Sequence, residues 1–247
     1  MDKKIQEVLA GCTVFGNGLR LPNVTLGRSD YLQVKKVMES HGGKWKGGKF
    51  AGFVFDHEPV DILQMFKDGD VSDKKKDYQF YATPVWVADM MVNDLYLLPE
   101  HKILEPSAGS GRLVEAVHRD VPCVVVDCYE LNEHFYQYLG VCQGVNMCGR
   151  DFMESPDTED YDRIIANPPF KNNQDIEHVM KMYGRLKSGG RMAVITSTHW
   201  TFAEDRKSVE FREWLQGKCK HKQELPEGSF RESGTSVATM YLIIEKE

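Results

Sequence analysis

The sequence predicts an α/β protein with a doubly wound, mainly parallel sheet. Three observations predict it: strand and helix signals alternate from about residue 80 onward, a strand ends in glycines at 103–111, and another ends in prolines at 164–170. Ligands of such sheets bind beyond the carboxyl ends of the strands, so those ends are where chemistry is expected.

Ile103-Leu104-Glu105 reads as a strand running into Pro106-Ser107-Ala108-Gly109-Ser110-Gly111, then into the helical run Arg112 to Val117. Glycines there let the backbone turn sharply and bring a ligand close to main-chain N–H groups and a helix N-terminus. A dinucleotide fingerprint would want Gly or Ala where Val114 stands, and a phosphate-binding P-loop would want Gly-Lys-Ser/Thr; neither is present. The next strand, Cys123 to Tyr129, is followed by Glu130 and Leu131, about where an α/β nucleotide fold places the acid that takes ribose hydroxyls. A third strand, Gly144 to Gly149, ends in Arg150-Asp151-Phe152. One helix, Asp175 to Leu186, closed by Lys187-Ser188-Gly189-Gly190, separates the fourth strand from a fifth at Arg191 to Ser197.

The fourth strand, Ile164-Ile165-Ala166, ends in Asn167-Pro168-Pro169-Phe170. Two prolines fix φ and supply no N–H, so the backbone stays extended with its carbonyls unpaired. Asn167 adds an amide oxygen and Phe170 a flat surface on which a ring can stack. Two converging acceptors hold both hydrogens of a planar amino group and favour localising its lone pair for attack. A strand entering a stiff turn with a buried Phe would carry the same letters, and the tetrapeptide alone does not separate the two readings.

In order along the chain, these segments resemble the class I S-adenosylmethionine-dependent amino-methyltransferases, in particular the DNA adenine-N6 branch. The resemblance covers roughly residues 78 to 247. Glu105-Pro106-Ser107-Ala108-Gly109-Ser110-Gly111 is similar to the glycine-rich motif around the methionine part of the cofactor. Glu130 matches the ribose-binding acid, and Asp151-Phe152 matches the pair at the cofactor adenine. Asn167-Pro168-Pro169-Phe170 is similar to the catalytic motif. Phe80-Tyr81-Ala82-Thr83-Pro84 resembles the aromatic-x-Thr-Pro segment that closes over the methionine end. Leu225 to Phe230 and Gly234-Thr235-Ser236 resemble the sixth strand and its hairpin to an antiparallel seventh, Val237 to Glu245. The unpermuted order is that of the family's gamma class.

The resemblance implies a seven-stranded Rossmann-like sheet with an antiparallel last strand, S-adenosylmethionine as cofactor and DNA as partner. It also implies a restriction-modification setting. The target base would be flipped out of the duplex onto Phe170, with Asn167 and the Pro168 carbonyl accepting its amino hydrogens. His178 and His199 are expected to play no catalytic part. The alternatives are a cytosine-N4, RNA-base or protein-glutamine methyltransferase, and a noncatalytic nucleic-acid-binding subunit of a modification complex.

Composition agrees with an intracellular enzyme. The chain has 247 residues and a net charge of −6. It shows neither a membrane-spanning apolar stretch nor a secretory leader, and a cytoplasmic location is expected. Its six cysteines form no Cys-x-x-Cys and no paired His spacing, so no metal site is predicted and all are read as reduced, Cys123 and Cys128 within a core strand.

Residues 1–77 are predicted to form a separate small α+β unit, joined by a charged linker at 68–77 to a catalytic domain at 78–247. Residues 1–77 carry 13 Lys+Arg against 11 Asp+Glu, leaving 18 against 26 for the remainder. Ser29-Asp30 is read as a helix N-cap, and His41-Gly42-Gly43 as the stop. Lys44-Trp45-Lys46 and Lys49-Phe50 flank Gly47-Gly48 as a hairpin, with Phe53-Val54-Phe55 continuing the strand. Backbone binding needs local positive potential, and Lys44, Trp45, Lys46 and Lys49 are candidates for it, although a solvated hairpin with a core Trp45 fits too. With no recognition domain expected after the seventh strand, the loops Asn172-Asn173 and His199 to Ser208 are further candidates, with Trp200, Arg206 and Lys207 singled out in the second although Trp200 fits equally as packing against Phe202; a homodimeric copy or partner subunit is a further candidate.

Overall fold

The computed structural model describes residues 3–48, 50–55, 59–67, 69, 81–233, 235 and 237–247. Lys49, Phe80, Gly234, Ser236, most of the linker at 68–77 and the predicted boundary at 77/78 lie outside the described residues. The chain divides into two compact units, Met1–Gln79 and Phe80–Glu247. Among the described residues no helix is long and apolar enough to cross a membrane.

The first unit runs α1 (Lys3–Ala10), β1 (Thr13–Phe15), β2 (Gly18–Arg20), α2 (Arg28–Ser40), β3 (Lys44–Lys46), β4 (Gly52–Val54) and α3 (Val60–Lys67). Its antiparallel sheet has the order β1-β2-β4-β3. Ile5, Leu9, Leu19, Met38, Phe53 and Phe66 are buried at its centre. Two sequence readings are corrected here, and one element is added. Gly27, not Ser29-Asp30, caps α2, and Asp30 lies in the first turn, paired with Lys4 at 2.6 Å. Lys46 pairs with Gly52, so the connection spans residues 47–51 rather than a two-residue Gly-Gly turn. The β1–β2 hairpin is additional; Phe15 pairs with Gly18 across Gly16-Asn17, where Gly16 has φ +55.

The second unit is a seven-stranded sheet, doubly wound and mainly parallel, with an antiparallel last strand. Its elements are α4 (Val85–Leu95), β5 (Ile103–Glu105), α5 (Arg112–Asp120), β6 (Val126–Tyr129), α6 (Glu133–Leu139), β7 (Val145–Gly149) and β8 (Tyr161–Ala166). They continue with α7 (Gln174–Arg185), β9 (Leu186–Ser197), α8 (His199–Phe202), α9 (Arg206–Trp214), β10 (Cys219–Glu224) and β11 (Thr239–Glu245). The order is β10-β11-β9-β8-β5-β6-β7, and β11, the last strand, runs against its neighbours β9 and β10. Buried on both faces, the central strands split successive residues between two apolar layers. Ile103, Ile165 and Ala193 enter one layer, and Leu104, Ile164 and Met192 the other.

Element ends differ from expectation where local chemistry overrides the apolar pattern. The second strand of this sheet starts at Val126, because Cys123 has φ +72, which a strand cannot hold; Cys123 is exposed while Cys128 is buried. β9 starts at Leu186, with an irregular register between Tyr161 and Arg163 that absorbs the Lys187-Ser188-Gly189-Gly190 segment. The sixth strand is Cys219–Glu224, and residues 225–230 turn beyond it; Pro226 has no N–H for a ladder. Trp200 is 2% exposed, packs edge-on against Phe211 at 5.0 Å and donates from Nε1 to Thr196 Oγ1 at 3.0 Å, so it is core and not a nucleic-acid contact. Trp200→Ala is expected to destabilise the protein by about 3–5 kcal/mol through reduced apolar burial and a residual cavity, as denaturant unfolding would show.

Candidate active site

Parallel pairing of β5, β6, β7 and β8 puts the residues that follow each strand on one edge of the sheet. At the end of β5, Glu105 Oε1 accepts from Ser107 N at 3.1 Å, and beyond it Ala108 N donates to Tyr129 O at 3.0 Å. Gly109 (φ +52) and Gly111 (φ +84) hold the left-handed backbone that turns the chain into α5. A Cβ on Gly111 would also meet Leu139 at 2.9 Å.

Glu130, at the end of β6, ties this loop to its own strand end. One carboxylate oxygen accepts from Gly109 N at 2.7 Å and the other from Asn132 N at 2.6 Å. Each oxygen keeps a second lone pair, so the group retains acceptor capacity for hydroxyls. Leu131 is half-exposed, and its carbonyl accepts from Arg150 at 2.6 Å. Asp151 caps the short 3₁₀ turn Phe152–Glu154 by accepting from Met153 N at 2.8 Å. The buried Phe152 ring lies edge-on to Tyr129 at 5.6 Å and tilted on His178 at 5.9 Å.

The electrostatics are those of carboxylates withdrawn from water. Burial pushes Glu105 well above its ordinary range, with only the Ser107 N–H opposing it and the Glu130 charge adding to it. Glu105 Oε2 is buried and has no hydrogen-bond partner among the described residues. Burial likewise raises Glu130, against the pull of its two backbone N–H bonds. His178 is pushed down to about 4 by burial, which keeps its ring neutral at physiological pH.

Asn167 follows β8 and is held by the segment before α4. Its Nδ2 donates to Tyr81 O at 3.0 Å and to the buried Thr83 Oγ1 at 3.2 Å. With both amide hydrogens committed, the group's remaining hydrogen-bonding capacity is the acceptor Oδ1. Pro84 caps α4, and Ala82 O accepts from Ser233 Oγ at 2.5 Å, which fastens the 81–84 segment from its other side. Pro168 is buried, Pro169 partly so, and Phe170 packs half-buried against the apolar layer. No local pattern in the sequence marks the Asn167 clamp, whose partners lie 84 and 86 residues away.

The surface candidates are divided between the two units. Arg206 is 87% exposed and paired with Glu210 at 3.4 Å, and Lys207 pairs with Glu177. Lys44, Trp45 and Lys46 form the exposed edge strand β3 of the other unit, where Trp45 rests edge-on against Tyr31 and Phe53.

No family model and no curated protein matches this chain. Among solved structures, a Listeria monocytogenes protein provisionally assigned as a class I S-adenosylmethionine-dependent methyltransferase superposes with a TM-score of 0.56 at 12% identity, over 76% of this chain and 66% of its own. The M protein of the type I restriction enzyme EcoKI gives 0.55 at 18% identity, over 98% and 56%. A modification subunit of a provisionally assigned type I restriction enzyme from Vibrio vulnificus YJ016 gives 0.55 at 15%, over 97% and 65%. The chain thus spans about two thirds or less of the length of each. At these identities the likeness defines a class, the class I methyltransferase fold. Within it, the two type I modification subunits align over nearly the whole of this chain.

A group whose folded pKa is raised holds its proton longer in the folded than in the unfolded state, so stability falls as pH rises above the unfolded value. For Glu105 that fall begins near 4.5 and continues up to its raised folded value. Denaturant midpoints measured from pH 4.5 upward should therefore decline less steeply in Glu105→Gln than in wild type; parallel profiles would contradict the burial of an unpaired carboxyl.

Proposed function

We propose that the protein transfers a methyl group from S-adenosylmethionine to the N6 amino group of adenine in DNA. The observation that supports this reading is the clamped Asn167, whose two amide hydrogens are taken by Tyr81 O and Thr83 Oγ1 and which is followed directly by a Pro-Pro backbone. Asn167 Oδ1 and the Pro168 carbonyl would accept the two hydrogens of a planar amine, and Phe170 would stack on its ring. The amide gains most as positive charge grows on that nitrogen, which is where an acceptor lowers a barrier. A purine inside a duplex is out of reach of such a site, so the base would be flipped in.

The residues present fit the cofactor. The orphaned Glu105 Oε2 suits a cationic amino group, and the Glu130 lone pairs suit ribose hydroxyls. Tyr81, Thr83, Pro84, Pro106, Ser107, Ala108, Gly109 and Gly111 would hold its methionine end, and Leu131, Asp151 and Phe152 its adenine. S-adenosylmethionine supplies an electrophilic sulfonium methyl when bound. No strong general base is required of the protein, because the amine can release its proton late or to water.

Residues 1–77 are proposed as a DNA-contact module, with Lys44, Trp45, Lys46 and Lys49 toward the phosphates and Arg206 and Lys207 contributing from the catalytic unit. The likeness to type I modification subunits supports a restriction-modification setting and work beside a second copy or a partner subunit. Replacing Lys44 and Lys46 by Ala should flatten the dependence of log Kd on log salt by about 0.9 for each phosphate that is no longer neutralised, read by fluorescence anisotropy on duplex DNA. An unchanged slope would remove β3 from the interface.

The function is tested by mass spectrometry of DNA nucleosides, RNA nucleosides and protein hydrolysates from cells expressing wild type or Asn167→Ala. N6-methyladenine in DNA with wild type, and none above background with Asn167→Ala, is expected. Methylation confined to N4 of cytosine, to RNA or to glutamine would overturn the assignment.

A further inference from the structure

The edge that carries Asn167 also carries an aromatic ridge. β8 and β9 are parallel neighbours with Ala166 opposite Val194, so α8 leaves the sheet beside the 167–170 segment. Within α8, Trp200 is buried while Phe202 is 67% exposed, its ring edge-on to that of the exposed His199 at 5.6 Å. A lone exposed Phe is ordinary; the mounting of this one is not. Arg212 donates to the carbonyls of Trp200 and Ala203 at 2.7 Å each, which locks the turn behind the ring. The fully buried Asp175 accepts from both Ser197 N and Ser197 Oγ at 2.8 Å, fixing the strand end from which α8 starts.

A further bond runs to the segment after Phe170. Asn173 Nδ2 donates to Asp205 Oδ1 at 3.2 Å, and Asp205 also caps α9 through Ser208 and lies 3.6 Å from His199 Nε2. Asn172 and Asn173 both hold left-handed backbone, φ 58 and 61, a region that asparagine enters more readily than most residues with a side chain, and so form a turn directly after Phe170. The segment that carries the exposed ring is thus linked through Asp205 to the turn after Phe170. Arg206 and Lys207 start the next helix, so cationic groups stand beside the ridge.

We propose that Phe202, backed by His199, is a wedge that enters the DNA base stack and fills the place vacated when the target adenine turns out toward Asn167. This rests on the DNA-adenine reading above. Apolar side chains inserted at base steps are a general means of opening a duplex, and they work only if the inserting ring does not yield. Phe170 cannot serve this end, since its ring packs against the apolar layer of the unit.

The experiment first maps the modified adenines in unmethylated plasmid DNA treated with wild type and S-adenosylmethionine. It then measures single-turnover methylation of a duplex carrying that site, with the target adenine opposite thymine or opposite an abasic position. Phe202→Ala should lose tenfold or more on the paired duplex and less than threefold on the abasic one, with Phe202→Trp recovering most of the paired rate and calorimetric cofactor affinity unchanged. Equal losses on both duplexes, or none on either, would overturn the wedge while leaving the DNA assignment intact. Absence of any methyl transfer to plasmid DNA by wild type would overturn both.

Discussion

The arrangement depends on one amide. Asn167 has two hydrogens and one oxygen to direct, and Tyr81 O and Thr83 Oγ1 take both hydrogens. Without those two acceptors the side chain could rotate and present a donor to the incoming group, which would repel an amine's hydrogens. With them, the orientation is set before any ligand arrives, and no reorganisation is needed when charge develops. The sheet explains why the clamp is available: the 81–84 segment is held by Ser233 from the turn before β11 and by the start of α4, and Asn167 comes off the central strand β8.

The same edge concentrates carboxyl groups that burial makes costly. Glu130 offsets part of that cost by accepting two main-chain N–H groups, thereby fixing the glycine loop against β6. Glu105 does so with only one, and its second oxygen has no partner among the described residues. An unpaired buried acceptor at a strand end is a deficit that a bound cationic group would remove. Such a deficit belongs where a ligand enters rather than in the apolar layers, into which β8 and β9 send Ile, Val, Ala, Leu and Met side chains.

Much of the sheet was legible because its central strands are buried on both faces and read as unbroken apolar runs, as in Met192 to Ile195. The exceptions have local causes. β10 reads Cys-Lys-His-Lys-Gln-Glu and is exposed at the sheet edge, so nothing in its composition marks a strand. Cys123-Val124-Val125 looks like strand but is turned by a positive φ at Cys123. The β1–β2 hairpin was marked by Gly16-Asn17 yet has only three residues on each side. At the candidate site, residue types and order were readable, since strand ends carry them. What joins Asn167 to Tyr81 and Thr83, or Asn173 to Asp205, is contact across distant sequence, which no local spacing encodes. Trp200 illustrates the remaining ambiguity, because an indole beside basic residues reads equally as surface contact or as core until its neighbours Phe211 and Thr196 are known.

An acceptor at position 167 could in principle be a carboxylate, and sequence chemistry alone would allow Asp there. In this structure an Asp would set an oxygen against the Tyr81 carbonyl in place of a donated hydrogen. Single-turnover methyl transfer to unmethylated DNA by Asn167→Asp, run beside Asn167→Ala and with cofactor affinity measured in parallel, therefore tests the clamp most directly. A rate for Asp as low as that for Ala, with affinity retained in both, is the predicted result; an Asp variant within tenfold of wild type would show that acceptance alone suffices and that the clamp does not set the chemistry.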